Sequence, residues 1–212
     1  MLVVFEGVDG SGKTELMRRV ADILRQGHSV VTTREPGGTP LGEELRNILC
    51  HGNHEMSHLA QTLLFMADRE HHVRTVVRPA LEHGNIVLCD RYLASTLVYQ
   101  YYLRDIADSA VSLGDLLAMH ELVTNYLYPN ITVYIDISAK DAAYFKSMRD
   151  GESSHFDEIE AEKLLDAYDS VLTEVPQIHG PLLPIRNGRG ADLDVLAGRI
   201  AQAIMIKNGS AT

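Results

Sequence analysis

The sequence is poor in cysteine and has no long hydrophobic run. Its 212 residues include two cysteines, Cys50 and Cys89, too few for the disulfide framework of a small secreted protein. We therefore expect a reducing, cytoplasmic environment. No apolar run approaches the roughly 20 residues that a membrane-spanning helix needs. Met1 leads directly into an apolar segment without the regions of a signal peptide, so we expect no secretory signal and no membrane partner.

Positive charge is also scarce. The chain has 19 lysines and arginines against 29 aspartates and glutamates, a net charge of -10 at pH 7. Proteins that bind nucleic acid through phosphate contacts are usually basic, so we expect no nucleic-acid partner. A mononucleotide substrate stays compatible, because a few local cations and a metal ion can outweigh the overall charge. The length suits one α/β domain, and we expect residues 1–212 to form it.

Short apolar runs alternate along the chain with segments that carry hydrophobic residues at helical spacing. This alternation predicts a five-stranded parallel sheet with helices on both faces. Ligands of such folds bind at the carboxyl ends of the strands. The predicted strands are residues 2–6, 29–33, 86–89, 131–135 and 182–185.

Helical spacing continues through most of the connecting segments. Leu41, Leu45, Ile48 and Leu49 share one helix face, and Pro79 should kink or break the long helix that contains it. The other predicted helices are residues 14–26, 57–83, 93–103, 113–126, 139–148, 157–172 and 193–206.

The sequence GVDGSGKT at residues 7–14 fits the phosphate-loop pattern G-x-x-x-x-G-K-[ST], between a predicted strand and a predicted helix. Its glycines allow backbone N–H groups to turn toward phosphate oxygens, and the helix N-terminus adds positive potential. Lys13 should reach the transferring phosphate, and the Thr14 hydroxyl should bind Mg²⁺. The residues predicted to surround the ATP phosphates are Gly7, Asp9, Gly10, Ser11, Gly12, Lys13 and Thr14.

Two charged residues follow the third predicted strand. Asp90 can hold the metal through water, as acids at such strand ends do, although it can also be a plain helix cap. Arg91 can grip a phosphate with two N–H groups, although it can also form a surface salt bridge. A phosphate loop alone does not distinguish a kinase from an ATPase or a GTPase. Other residues, such as Asp90 and Arg91, have to distinguish these enzyme classes.

Four ordered blocks of the sequence resemble the thymidylate kinases, a family of nucleoside monophosphate kinases with the P-loop NTPase fold. Beyond residue 100, only Asp136 and the general pattern agree. The blocks are FEGVDGSGKT (5–14), TREPGGTPLG (33–42), LFMADR (64–69) and DRYLASTLVYQ (90–100). The resemblance implies ATP-dependent phosphorylation of dTMP to dTDP for deoxynucleotide synthesis, with Mg²⁺ as the cofactor, and a homodimer.

The resemblance also implies roles for individual residues. Asp9 would bind the 3′-hydroxyl of the acceptor sugar, Arg91 would hold the acceptor phosphate, and Tyr99 would crowd the ribose 2′ position. Phe65 would stack on the pyrimidine, and Arg69 would donate to a base oxygen. These two residues lie four apart on one helix face, as such a pair must. The remaining residues implied to line the pocket are Arg34, Pro36, Ser95 and Thr96.

The sequence departs from the family pattern in two places. Some members carry an arginine directly after the loop acid, where this chain has Gly10. Such members compensate with arginines in a short lid, which we expect here at about residues 146–157. Arg149 is the one arginine of this lid, so either Arg149 acts alone as the catalytic cation, or Lys146 or His155 shares its role.

Three other functions stay open. The chain can be a kinase with a broader range of deoxynucleoside monophosphate acceptors, a non-catalytic nucleotide-binding relative, or a P-loop ATPase that drives a partner. Activity with a panel of monophosphates would distinguish the first, and acceptor-independent ATP hydrolysis would distinguish the last.

Overall fold

The computed structural model describes residues 1–52, 54–103, 111–148, 156 and 159–209. In this part of the chain, five parallel strands form one sheet in the order β2-β3-β1-β4-β5. The predicted strands are confirmed, with boundaries that differ by a residue or two because pairing, and not apolarity alone, sets their ends. The strands are β1 (Leu2–Glu6), β2 (Val30–Arg34), β3 (Ile86–Asp90), β4 (Ile131–Asp136) and β5 (Leu182–Arg186).

The α-helices are α1 (Lys13–Leu24), α2 (Pro40–Arg46), α3 (His58–His72), α4 (Arg78–Glu82), α5 (Leu93–Leu97), α6 (Leu113–Thr124), α7 (Ala139–Ser147), α8 (Ala161–Glu174) and α9 (Leu193–Gly209). π-Helical turns at Asn47–His51, Val73–Val77 and Val98–Tyr102 follow α2, α3 and α5. The predicted long helix does not break at Pro79: it continues from α3 into α4 through the π-helical turn at Val73–Val77, and Pro79 lies directly after this turn.

Hydrophobic side chains cover both faces of the sheet. Alternate residues of β1 point to opposite sides, so Val3 and Phe5 pack with α1 and α9, while Leu2 and Val4 pack with the helices of the other face. These β1 side chains are at most 1% exposed. A central strand of uninterrupted apolar residues is therefore needed, and it fixes the position of the loop that follows it.

The pairing of the strands places the carboxyl ends of β1, β2 and β3 beside one another. Asp90 at the end of β3 lies opposite Phe5 of β1 on one side and Arg34 of β2 on the other. The phosphate loop, Asp90 and the loop after β2 therefore share one edge of the sheet, as expected for a ligand site. No helix of the described residues is long and apolar enough to cross a membrane.

Candidate active site

The phosphate loop connects β1 to α1, as predicted. Gly7, Gly10 and Gly12 have φ values of 141°, 81° and 85°, which side-chain-bearing residues rarely adopt. Gly12 ends the loop at the N-cap position of α1. Backbone N–H groups and the helix N-terminus are thus presented together to an anion.

Lys13 is the buried cation of this loop. Its side chain donates from Nζ to the Val8 carbonyl oxygen at 2.9 Å. Burial lowers the Lys13 pKa to about 8, and the neighbouring Arg91 adds to this lowering, while the carboxylates of Asp9 and Asp90 oppose it. A bound triphosphate would favour the charged form in the same way as these carboxylates.

Thr14 and Asp90 form the site that suits a divalent cation. The Thr14 hydroxyl donates to Oδ2 of Asp90 at 2.8 Å, across 76 positions of sequence. Oδ1 of Asp90 is buried and has no hydrogen-bond partner among the described residues. A hydroxyl beside a carboxylate oxygen with free lone pairs fits a hard cation such as Mg²⁺, which prefers oxygen ligands and keeps part of its water shell.

A cavity of about 480 Å³ opens beside the phosphate loop, a size in the range of small-molecule sites. Its lining comes from the loop after β2, α3, the start of α5 and the turn that follows α5. The sequence-predicted residues that line it are Asp9, Thr14, Arg34, Pro36, Phe65, Arg69, Arg91, Ser95, Thr96 and Tyr99. The structure therefore brings together the acceptor-site residues that the sequence nominated from four separate blocks.

Arg69 crosses one wall of the cavity and is 3% exposed. Its Nε donates to Glu35 at 2.7 Å, and its Nη2 donates to Thr96 at 2.9 Å. His72 holds the other oxygen of Glu35 at 2.9 Å. The guanidinium also lies over the Tyr92 ring at 4.9 Å. Its Nη1 has no partner among the described residues, so a buried donor remains available for a ligand oxygen.

A second unused donor lies on Gln100, which the sequence reading did not nominate although the residue ends a quoted block. Its Nε2 is buried without a partner among the described residues, and Gln100 lines the same cavity as Arg69. Two unsatisfied donors in one cavity indicate that a ligand supplies the acceptors. The available signal was the position of Gln100, on the same helical stretch as Ser95 and Thr96.

Aromatic rings supply the flat walls of the cavity. Phe65 lies 6.3 Å from Phe156 between ring centroids, and Tyr99 meets Phe156 edge to face at 5.2 Å. Phe156 was not predicted, because its segment gave no periodic signal. An aromatic slot of this kind suits a planar base.

Arg91 lies between the cavity and the phosphate loop. Its Nη2 donates to Asp9 at 2.8 Å, and its Nη1 donates to Ser95 at 3.0 Å. The Arg91 side chain is mostly buried, and 16% of its surface is exposed. Asp9 is thus paired with the predicted phosphate-binding arginine rather than held free for the sugar.

Arg34 and Pro36 occupy the rim. Arg34 pairs through Nη2 with both oxygens of Glu43, at 2.9 and 2.8 Å, and is half-exposed. Pro36 follows a cis peptide bond, and its carbonyl oxygen accepts from Arg46, a further lining residue that the sequence reading missed.

Comparison with known proteins decides the family. A family model described as thymidylate kinase matches residues 5–179. Curated thymidylate kinases of Staphylococcus haemolyticus and Staphylococcus epidermidis are 38% and 36% identical, over 82% of this chain and 85% and 84% of theirs. The crystal structure of thymidylate kinase from Ehrlichia chaffeensis matches with a TM-score of 0.73 and 28% identity, covering 97% of this chain and 98% of that one.

The chain belongs to the thymidylate kinase family.

Family membership confirms the predicted enzyme class and the P-loop NTPase fold. It makes the chain a nucleotide-binding kinase whose reaction is an ATP-dependent phosphoryl transfer, generally with a divalent metal.

The lid of this thymidylate kinase family member falls largely outside the described residues. Arg149 and His155 are among the residues that the structure does not describe, so their roles stay predictions. At Gly10, a Cβ atom would lie 2.3 Å from the Ala142 carbonyl oxygen and 3.2 Å from the Lys146 backbone nitrogen. The described end of α7 therefore packs directly on the phosphate loop and brings Lys146 close to it.

Asn187 is a further contact of the loop that the sequence reading missed. It follows β5, and its Nδ2 donates to the Ser11 carbonyl oxygen at 2.8 Å. A sequence separation of 176 residues explains why no local pattern pointed to it.

Proposed function

We propose that the chain transfers the terminal phosphoryl group of ATP to dTMP, giving ADP and dTDP for deoxynucleotide synthesis. One observation carries the choice of a thymine-like base over cytosine. The Arg69 and Gln100 side chains present buried donors that have no partner in the described part of the chain, in a cavity with aromatic walls. Thymine offers carbonyl oxygens to such donors, whereas cytosine presents an amino group at its 4-position and would leave one of them unpaired.

In this proposal each site residue has a defined task. Lys13 and the backbone of residues 7–14 hold the ATP phosphates, and Arg91 holds the acceptor phosphate. Phe65 stacks on the base, and Tyr99 crowds the 2′ position. Asp9 moves from Arg91 to the 3′-hydroxyl when the acceptor phosphate takes its place. The protein positions two phosphates in line and neutralises charge, and it needs no strong general base.

We propose Mg²⁺ as the metal, held by Thr14 directly and by Asp90 through water. When bound, the ion would neutralise charge on the transferring phosphate. Oδ1 of Asp90, which accepts no hydrogen bond from the residues that the structure describes, supports this assignment.

We also propose that Arg149 supplies the lid cation that Gly10 does not provide. Arg149→Ala should lower kcat by on the order of 10²–10³, less than the effect of an arginine finger, and raise the KM for dTMP much less. Steady-state kinetics of Arg149→Ala and Arg149→Lys test this. A near-normal kcat in both variants would transfer the role to another cation, of which Lys146 is the first candidate.

A homodimer is the proposed assembly, in the cytoplasm. Leu59 and Leu63 on α3 are 38% and 49% exposed and lie four residues apart, and Leu122 on the adjoining α6 is 81% exposed. Such a surface suits a second copy of the chain. Sedimentation analysis of the wild type and of Leu63→Glu tests the dimer, and a monomeric wild type refutes it.

Both cysteines are free and buried, as expected in a reducing compartment.

The decisive experiment measures ADP release with dTMP, dUMP, dCMP, dGMP and dAMP as acceptors. We expect dTMP to be preferred over dCMP by about 5–150-fold in kcat/KM, because one unpaired buried polar group costs roughly 1–3 kcal/mol. Comparable rates with all five would indicate the broader kinase. ADP release without acceptor would indicate an ATPase, and no release at all a non-catalytic relative.

A further inference from the structure

Glu6, the last residue of β1, is a fully buried carboxylate at 0% exposure. It accepts hydrogen bonds from the backbone nitrogens of Tyr92 and Ser95 at 2.9 and 3.2 Å. It also accepts from the Ser95 hydroxyl at 2.6 Å and from the Tyr168 hydroxyl at 3.1 Å. No lysine or arginine of the described chain pairs with it directly. A buried carboxylate whose hydrogen-bond donors are all neutral is energetically costly.

The two hydroxyls on Glu6 also face Arg91. Nη1 of Arg91 donates to Ser95 at 3.0 Å and to Tyr168 at 2.9 Å. Each hydroxyl has one hydrogen to donate. The two hydroxyl oxygens lie 2.8 Å apart, so when Ser95 donates to Glu6, Tyr168 donates either to Glu6 or to Ser95. In both arrangements each hydroxyl oxygen keeps a lone pair for the guanidinium. The negative charge of Glu6 is therefore connected to the positive charge of Arg91 through two hydroxyl groups, with no direct ion pair.

The position of Arg91 has to be stabilised, because its backbone conformation is unfavourable and its side chain could adopt other rotamers. Its φ is 69°, a left-handed conformation that is unfavourable for a residue other than glycine. Its long side chain loses rotamer freedom when it is fixed. The hydroxyl pair holds one edge of the guanidinium toward the interior, and Asp9 holds Nη2 on the side of the phosphate loop.

We infer that Tyr168 and Glu6 are positioning residues that fix Arg91 for the phosphate of the acceptor nucleotide. The inference rests on the proposed function, in which Arg91 binds that phosphate. Tyr168 lies on α8, the helix that follows the lid segment, and is itself 0% exposed. The chain beyond the lid thereby contributes to the acceptor site, which otherwise comes mainly from residues before position 101.

Tyr168→Phe tests the inference with little change in packing, because it removes the hydroxyl and keeps the ring. Tyr102→Phe is the matched control. The Tyr102 hydroxyl also donates to a carboxylate of α8, Glu174 at 2.7 Å, but lies away from Arg91. The measurement is the dissociation constant of dTMP and of thymidine, which lacks the phosphate, for each folded variant by calorimetry.

We expect Tyr168→Phe to weaken dTMP binding about 3–10-fold, since one hydrogen bond to a charged group is disturbed. Thymidine binding and the KM for ATP should stay within about twofold of wild type, as should all values for Tyr102→Phe. In an Arg91→Ala background, Tyr168→Phe should add nothing to the loss of dTMP affinity. A loss of equal size for dTMP and thymidine would mean a merely structural role and would overturn the inference.

Two outcomes separate the failure of the inference from that of the proposed function. If Arg91→Ala leaves the ratio of the dTMP and thymidine constants unchanged, Arg91 does not bind the acceptor phosphate, and the proposed role fails. If Arg91→Ala changes the ratio and folded Tyr168→Phe does not, the positioning role is wrong. Should Tyr168→Phe not fold, Glu6→Gln decides by the same ratio, because it keeps the size of the side chain and cancels its charge.

Discussion

Replacement of Gln100 by leucine should change stability and substrate binding in opposite directions. Gln100 is 3% exposed, and its Nε2 has no partner among the described residues. Among the described residues, its Oε1 lies near the Thr62 hydroxyl at 3.3 Å and shares the single hydrogen of that hydroxyl with the His58 carbonyl oxygen. That hydroxyl already donates to the His58 carbonyl oxygen at 2.9 Å, so the loss of Gln100 leaves it satisfied. Leucine fills a similar volume and places no polar atom in the cavity wall.

The magnitudes follow from the unsatisfied amide. A buried donor without a partner costs roughly 1–3 kcal/mol, which Gln100→Leu removes from the free protein. The free energy of unfolding without ligand should therefore stay level or rise by up to about 1–2 kcal/mol, after allowance for imperfect packing. For a chain of this size, that corresponds to an increase in Tm of at most about 8 °C. The affinity for dTMP should fall about 5–150-fold, since the base loses its partner.

Denaturation of the ligand-free protein and calorimetric titration with dTMP measure the two quantities on the same samples. The KM for ATP is an internal control, because Gln100 lies in the cavity and away from the phosphate loop. Thr62→Val is the matched variant, since it removes the neighbouring hydroxyl and should leave dTMP affinity nearly unchanged. A Gln100→Leu protein that is clearly less stable and binds dTMP normally would make Gln100 a core residue and refute the reasoning.

Three further predictions test other parts of the site. Lys13→Ala should reduce phosphoryl transfer by at least about 10²–10³-fold in a folded protein, and substantial turnover would contradict the phosphate-loop assignment. Tyr99→Ala should narrow the kcat/KM gap between dTMP and its ribonucleotide counterpart, and an unchanged ratio would return Tyr99 to a packing role. Burial and the nearby Glu35 raise the Asp68 pKa to about 7, so folded Asp68 keeps a proton that the unfolded chain releases above its ordinary pKa of about 4. The free energy of unfolding should therefore fall as pH rises from about 4 to about 7. Asp68→Asn, which still accepts from the Gly37 N–H, should flatten this slope in denaturant titrations, and an unaltered slope would assign it to other groups.

The parts of the site that local sequence encodes were predictable. The glycines of the phosphate loop require positive φ values, and their spacing alone indicates that conformation. Phe65 and Arg69 share a helix face through their four-residue spacing. Asp90 could be assigned to the edge of the sheet because it directly follows a buried strand, and its contact with Thr14 follows from the register of parallel strands.

The parts that depend on distant packing were not predictable. Glu6 and Tyr168 are 162 positions apart, and each looks like an ordinary strand end or core tyrosine when taken alone. Phe156 stands in a segment without periodicity, so nothing in the sequence tied it to the cavity. The π-helical turns after α2, α3 and α5 also escaped prediction, because each is a single turn with i→i+5 hydrogen bonds and is too short to show a periodicity of its own.

The contact between Gly10 and α7 restricts how this protein can evolve. The space that a side chain at residue 10 would need is taken by the Ala142 carbonyl oxygen, 2.3 Å from a Cβ placed there. The positive φ of Gly10 adds a second barrier to a side chain. An arginine could therefore be accepted only after α7 had moved, which demands simultaneous changes on two elements. Substitutions of Gly10 should therefore be poorly tolerated, and the proposed lid cation, which would act beside Lys13, has to come from a residue outside the loop.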